Sequence, residues 1–505
     1  MSTAITASLL LPPIHQGKAG LASFLAPPDP LSPARQEFAL LEAWLSSTQA
    51  LQLPLHQVEG QQQPRGREVQ RLLLQAHIQR RGLGDIGPTL RVTEETGEVL
   101  YTHRRVRQRS LKTIFGTVTI ARMSYSRAGS RRICPLDEAL QLPARSFSYE
   151  LQKRSIRAAV QGPFHESVMG IAEITGVSIP KRSLEEVLLD AAQDFDAFYQ
   201  EHAPELDTGS ILVAAVDGKG IPMVKPEGAK RTVRPGKGQK ANRKRMATVA
   251  TVFSRAPWVR TPEEVVQSLF RTGRPPQTAQ PAPPRPENKR VWASLVKGKA
   301  AVVVEVAQEM DRRDPQRNKT RVALSDGERA LQILIDQTLP VTLILDLLHA
   351  LEKLWKAAYV FHPEGSPEAE LWVRIRTLRV LGGKVSQVVK GLRQSVTKLR
   401  LRGVKRKTLL GVAGYLYRNR TRMRYDQYLA KGWPIASGPV EGACKNLIKD
   451  RMERSGMRWT EAMAEAIVKL RAIYLSGDFD RYWSFHVERD QQRLHPRGQW
   501  SVVVK

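Results

Sequence analysis

Apolar positions along the chain change period several times, and each change marks a different kind of element. Phe38, Leu40, Leu41, Trp44 and Leu45 recur at helical spacing, as do Val69, Leu72, Leu73, Ala76 and Ile78. The run Gln61-Gln62-Gln63-Pro64 reads as a break between these two predicted helices. From Tyr101 to Tyr125 the period falls to two, and Ile114-Phe115-Gly116-Thr117-Val118-Thr119-Ile120 reads as strand, glycine turn, strand. Helical spacing returns from Tyr149 to Tyr199. Within it, a helix ending at Gly176, a short apolar turn, and a second helix opened by Ser178 or Pro180 match the spacing of a helix-turn-helix reader. An ordinary αα-hairpin has the same spacing.

Beyond Ser210 short apolar runs alternate with helical stretches. Ile211 to Val216 runs into Asp217-Gly218; Met246 to Phe253 is a second strand; Arg321 to Leu324 runs into Asp326-Gly327; and Pro340 to Leu345 runs into Asp346. With helices predicted over Ala300 to Arg312 and Glu328 to Gln337, this is an α/β pattern with a mixed or parallel sheet. The chain divides into a disordered lead-in (1–32), N-terminal helices with a β-hairpin (33–145), a helical region (146–205), the α/β domain (206–485) and a tail (486–505). The α/β domain contains a Pro-rich loop (272–286) and a helical insertion (360–432).

Charge adds a partner to this picture. Of 505 residues, 79 are Lys or Arg and 49 are Asp or Glu, a net charge of +30 that calls for a polyanion, nucleic acid before an anionic membrane surface. No apolar run approaches the ~18 residues of a membrane span. The cations cluster: residues 99 to 135 hold no acid, the segment Lys225 to Arg245 is basic, and residues 371 to 425 hold sixteen Arg and Lys without an acid. The hairpin suits a ribbon lying along phosphates. Lys181 and Arg182, on the first turn of the second helix of the pair, are candidate DNA contacts. Two cysteines, Cys134 and Cys444, provide neither a disulfide framework nor a CxxC zinc site, and Met1 to Pro13 makes a poor secretory signal, so an intracellular, reducing location is expected.

Against this cationic background the acids at strand ends carry the chemistry. A carboxylate at the carboxyl end of a buried strand, before Gly, points into the crevice where α/β sheets bind ligands, as Asp217 and Asp326 do. A third would complete a cage for a hard divalent cation. Glu441 is the candidate, on a helix that Ser437 caps and Pro439 starts, with Lys445 and Lys449 one and two turns along the same face. Lys445, Lys449, Arg451, Arg454, Arg458 and Trp459 then form a cationic stripe with an aromatic, suited to backbone phosphates and a stacked base.

Four motifs in order, Ala215-Val216-Asp217-Gly218-Lys219-Gly220, Leu324-Ser325-Asp326-Gly327-Glu328-Arg329-Ala330-Leu331, Ile344-Leu345-Asp346-Leu347-Leu348-His349 and Ser437-Gly438-Pro439-Val440-Glu441, resemble bacterial insertion-sequence transposases of the ISKra group. More distantly they resemble the Mutator-like superfamily. The resemblance spans about residues 100 to 490. It implies an α/β ribonuclease H-like catalytic core with a basic helical insertion, preceded by α+β and helical, helix-turn-helix-like DNA-binding regions. It implies a triad of Asp217, Asp326 and Glu441 binding two Mg²⁺ or Mn²⁺ ions, with Asp346 as the alternative second acid. His349, in an Asp-x-x-His motif, is then an orienting group or DNA contact.

The implied function is DNA transposition: binding of transposon ends, metal-dependent strand cleavage, and transfer of the freed 3′-OH into target DNA by in-line attack. The partners are double-stranded DNA and further copies of this chain, in the bacterial cytoplasm at the nucleoid, without a membrane. No covalent protein intermediate is expected, since Tyr415 and Tyr417 beside Arg418 and Arg420 are weak recombinase nucleophiles. Gly218-Lys219-Gly220 lacks the spacing of an ATP-binding loop. The competing readings are an inactive DNA-binding derivative and an actin-like phosphotransferase.

Overall fold

The computed structural model describes residues 29–94, 97–224, 244–270, 282–436, 438–454, 456–495 and 500–502. Most of the basic segment 225–245, most of the Pro-rich loop, the cap at Ser437 and nearly all of the lead-in lie outside them. The chain divides into two compact units: residues 29–111 and 115–140 with the strand Trp500–Val502, and residues 112–114 with 141–495.

In the first unit, helix Ser32–Leu45 begins inside the expected lead-in. The expected break at Gln61-Gln62-Gln63-Pro64 does not occur, because one helix, Leu55–Arg80, runs through Pro64. The three glutamines are good helix formers. The helix is also fastened near its end, where Gln75 exchanges two 2.8 Å hydrogen bonds with the backbone of Thr119. Strands β1 (Leu90–Glu94) and β2 (Gly97–Tyr101) pair antiparallel, and Trp500–Val502 pairs with β1. The described part of the expected tail is therefore ordered: helix Phe479–Leu494 runs into it, and Trp500–Val502 forms this strand. Strands β3 (His103–Thr113) and β4 (Gly116–Ser126) form the basic hairpin. Asp85 pairs with Arg104 at 2.8 Å and Asp137 with Arg109 at 3.6 Å and with Arg122, so part of its charge is neutralised internally. Arg105, Arg107, Arg127, Arg131 and Arg132 remain exposed.

The second unit is built on a mixed five-stranded sheet. Its strands are β5 (Ile211–Pro222), β6 (Lys244–Arg255), β7 (Glu287–Ser294), β8 (Thr320–Ser325) and β9 (Thr342–Leu345), in the order β7-β6-β5-β8-β9. β5, β6 and β7 are antiparallel neighbours, whereas β8 and β9 run parallel to β5. Strand β7, unread in the sequence, begins with the polar run Glu287 to Arg290 and buries only its second half.

The apolar runs are continuous because the sheet is covered on both faces. Leu212, Ala214 and Val216 point to a core shared with helices Lys299–Arg313, Arg329–Thr338 and Glu461–Ser476. Ile211, Val213 and Ala215 point to a second core formed with helix Leu347–Ala358 and the insertion helices Pro367–Leu381, Val385–Lys398, Gly403–Asn419 and Tyr425–Ala430. The basic insertion thus forms one face of the domain, with its apolar stripes inward.

The helix pair ahead of the sheet forms as expected. Helix Phe164–Thr175 ends at Gly176, whose φ of +69° lets its N–H reach the Ala172 carbonyl at 2.8 Å. Helix Lys181–Ala192 follows, after a turn that buries Val177 and Ile179.

Candidate metal-binding site

Strand β5 outruns its parallel neighbour. Ala215 faces Leu324, its last partner on β8, while pairing with β6 continues to Pro222. Asp217 therefore stands within a strand, opposite Val249, and not at a strand end as the sequence suggests. The crevice lies where β8 has stopped. Asp217 accepts a 2.6 Å hydrogen bond from the Gly218 N–H and a 3.2 Å one from the Cys444 thiol. Gly218, Lys219 and Gly220 continue the β5–β6 ladder, an extended ribbon and not a phosphate-cradling loop.

Asp326 follows β8. Its carboxylate accepts the Glu328 N–H at 2.8 Å, the Asx turn that an Asp before Gly favours, and its carbonyl accepts the Tyr415 hydroxyl at 2.8 Å. Asp346 follows β9 and is fully buried. Its N–H donates to the Ser325 carbonyl at 2.9 Å, and its carboxylate caps helix Leu347–Ala358 through the Leu348 N–H at 2.6 Å. One turn along that helix, His349 places Nδ1 at 3.9 Å from the Asp346 carboxylate, an ion-pair contact too long for a hydrogen bond.

Glu441 comes from the other side of the insertion, on helix Gly438–Ala443. The helix then widens into a π turn over Cys444–Lys449 before Asp450–Met452. This turn alters the regular register that the sequence suggests; Cys444 is aimed at Asp217, and Leu447 and Ile448 enter the core.

The ligand atoms of Asp346, His349 and Glu441 all lie within 4.8 Å of one another, so these three side chains form a group able to hold a metal ion. Among the described residues, Asp217 and Asp326 join no such group of three; the first is turned toward Cys444 and the second toward its own turn. Both still act on the site electrostatically. Desolvation raises the Glu441 pKa, and Asp346, Glu352 and Asp217 raise it further against the opposing His349. The Asp346 carboxylate raises the pKa of His349 against its burial, and Asp326 and Glu352 add to this. Carboxylates that disfavour one another's ionisation in this way are relieved by a bound cation.

Two tyrosines of the insertion hold the strand ends that carry the acids. Tyr415 donates to the Asp326 carbonyl, and buried Tyr425 donates to the Leu345 carbonyl, each at 2.8 Å. Desolvation and the neighbouring Asp326, Asp346 and Glu352 push the Tyr415 hydroxyl well above its usual range, the reverse of what a recombinase nucleophile needs. Tyr415→Phe is expected to lower stability by about 1 kcal/mol. Gly327→Ala is expected to cost more, ~1–3 kcal/mol, because φ is +90° there and the new Cβ would lie 2.5 Å from the Tyr415 hydroxyl. Equilibrium denaturation of the two variants checks both values and their order.

The expected DNA contacts divide. Lys181, Arg182, Lys445, Lys449 and Arg458 are exposed, with Lys181 and Arg182 facing Glu185 and Glu186 at 3.8 and 3.5 Å. Arg451 and Trp459 are buried, so the stripe predicted after Glu441 is not one continuous surface. The reason is backbone pairing at the end of β5: the Trp459 N–H donates to the Pro222 carbonyl at 3.1 Å and Val224 donates back to the Trp459 carbonyl at 2.8 Å. The indole, bonded to the Met452 carbonyl at 3.0 Å, is drawn inside and offers no open face to a base.

Cys444, Glu352, Tyr415 and Tyr425 are not site residues on the sequence reading, in which Cys444 figures only as a cysteine without a disulfide or zinc motif and Tyr415 only as a weak recombinase nucleophile. No protein-family model and no curated protein matches the chain. No helix among the described residues is long and apolar enough to cross a membrane.

Proposed function

We propose that the chain is a metal-dependent polynucleotidyl transferase, an insertion-sequence transposase that cleaves and joins DNA strands. The observation that carries this reading is the cluster of Asp346, His349 and Glu441, on which Asp217 and Asp326 act electrostatically, in a strongly basic protein. The sheet supports it. Counting its strands along the chain gives the order 3-2-1-4-5, with the first three antiparallel and the last two parallel to the first, a mixed sheet of the α/β kind that this reading requires.

The donor set fits a divalent cation. Two carboxylates and an imidazole lie within reach of a common point, further acids surround them, and Glu441 is under like-charge pressure. Asp346 and Glu441 would hold the ion, with Asp217 and Asp326 adjoining; an imidazole in the set favours Mn²⁺ alongside Mg²⁺. Such an ion would supply Lewis acidity toward a phosphodiester. The chain's own residues do the rest. Asp346, locked as a helix cap, keeps its carboxylate in place, and His349, one turn along the same helix, adds its imidazole to the set. The exposed arginines of the β3–β4 hairpin and of the insertion attract the DNA backbone.

The test incubates the purified protein with a supercoiled plasmid carrying the DNA that flanks its gene, with Mg²⁺, Mn²⁺ or chelator. Metal-dependent nicking at the flanks and joined products are expected. Absence of both, with either metal and with bound DNA verified, would refute the proposal.

A further inference from the structure

Among the described residues, Arg451 is the most heavily buried Lys or Arg. It is 0% exposed, and burial, with Arg471 and Arg454 nearby, pushes its pKa down to about 9. Its contacts are only partly those of a satisfied guanidinium. Nε donates to the Ala159 carbonyl at 2.8 Å, near the C-terminal end of helix Tyr149–Gln161, which suits a cation. Phe164 and Trp459 lie 5.1 and 4.9 Å from it, in cation–π range. Nη1, however, meets only the Met457 sulfur at 3.7 Å, a weak acceptor, and Nη2 has no hydrogen-bond partner among the described residues. The charges that act most on it are arginines, not carboxylates. An uncompensated buried charge costs several kcal/mol.

Arg451, although itself without exposed surface, is among the residues that line an open cleft of about 430 Å³, between the start of helix Lys181–Ala192 and the segment around Trp459. Lys181, His165 and Arg458 also line it. Its acid, Glu185, is 3.8 Å from Lys181. Counting Lys181, Arg451 and Arg458 against Glu185, the cleft has two positive charges to spare.

We propose that this cleft binds a phosphate group. Met457, an unbranched and adaptable side chain, yields, and two phosphate oxygens take the places at Nη1 and Nη2, while Arg458 and Lys181 close on the remaining oxygens. A planar guanidinium fork matches phosphate with two parallel hydrogen bonds. The group comes either from the nucleic-acid backbone, a source that rests on the function proposed above, or from free phosphate.

The test uses the full chain in chelator, without added metal. Inorganic phosphate is titrated by thermal shift at constant ionic strength, and a random-sequence DNA duplex by fluorescence anisotropy at several salt concentrations. The variants are Arg451→Met, which fills the volume without the charge, and the exposed-site change Arg458→Ala. Phosphate is expected to stabilise the wild type, with apparent affinity reduced about tenfold in both variants. If DNA is the source, duplex affinity falls by a similar factor and the salt slope by about one in each. If free phosphate is the source, duplex affinity stays unchanged while phosphate affinity falls. Unaltered phosphate and duplex affinity in Arg458→Ala and in folded Arg451→Met would overturn the proposal; should Arg451→Met not fold, Arg458→Ala and Lys181→Ala decide it. Asp346→Asn is expected to keep phosphate binding, which separates failure of this site from failure of the proposed strand cleavage.

Discussion

Asp346→Asn and Glu441→Gln are each expected to reduce metal-dependent strand cleavage by on the order of 10³-fold or more, because charge stabilisation by a bound cation is worth several kcal/mol. Both substitutions keep shape and remove a negative oxygen. Asn at position 346 retains the cap on helix Leu347–Ala358, a role for which Asn and Asp are nearly equivalent. The loss should therefore appear without unfolding and with duplex binding preserved, since the exposed cations are untouched. Mn²⁺ binding, followed by electron paramagnetic resonance, separates the second acids. Asp346 shares its 4.8 Å neighbourhood with Glu441, whereas the Asp326 carboxylate is engaged with the Glu328 N–H. Asp346→Asn should weaken Mn²⁺ more than Asp326→Asn; the reverse order would return the second-ligand role to Asp326. Cleavage that survives in Glu441→Gln would remove the metal mechanism altogether.

The largest stability effect is expected at Asp194, outside the candidate site. This carboxylate is buried between helices Phe195–Glu201 and Phe479–Leu494. It accepts from His486 at 2.7 Å and from Arg493 at 2.8 and 3.0 Å, with Arg489 at 3.5 Å. Burial alone would raise its pKa, but the bonds from His486 and Arg493 outweigh it and hold the carboxyl at about 2. Asp194→Ala leaves those partners without their anion and is expected to cost ~3–5 kcal/mol. The same group makes the fold acid-sensitive. A depressed carboxyl contributes fully above its unfolded pKa of roughly 4 and loses that contribution as pH falls toward 2. Urea denaturation of wild type and Asp194→Asn between about pH 5 and 2.5 should show a steeper loss in the wild type; parallel curves would contradict this role.

Much of the architecture was legible because it rests on local pattern. Ile211 to Val216 and Val322 to Leu324 are apolar without alternation because both sheet faces are covered, and that signal needs no partner to be read. Gly176 and Pro180 bounded two helices for reasons of backbone conformation alone. The errors arose where distant contacts overrode local preference. Pro64 sits within a helix whose later turns are fastened to β4. Polar Glu287 to Arg290 begins a strand because β6 offers it a ladder.

For the candidate site, the sequence alone determined which acids were available and that they stand beside buried strands in a protein of charge +30. Which of them meet was decided by tertiary structure. The relative lengths of β5 and β8 place Asp217 in mid-strand, a π turn aims Cys444 at it, and the insertion brings Glu441 back to Asp346 and His349. The same holds for Arg451, one more basic residue in a basic run until backbone pairing at Trp459 folds that run inward. Composition and periodicity are properties of neighbouring residues. The meeting of carboxylates about a hundred positions apart, and the burial of a charge, depend on packing that no local pattern encodes.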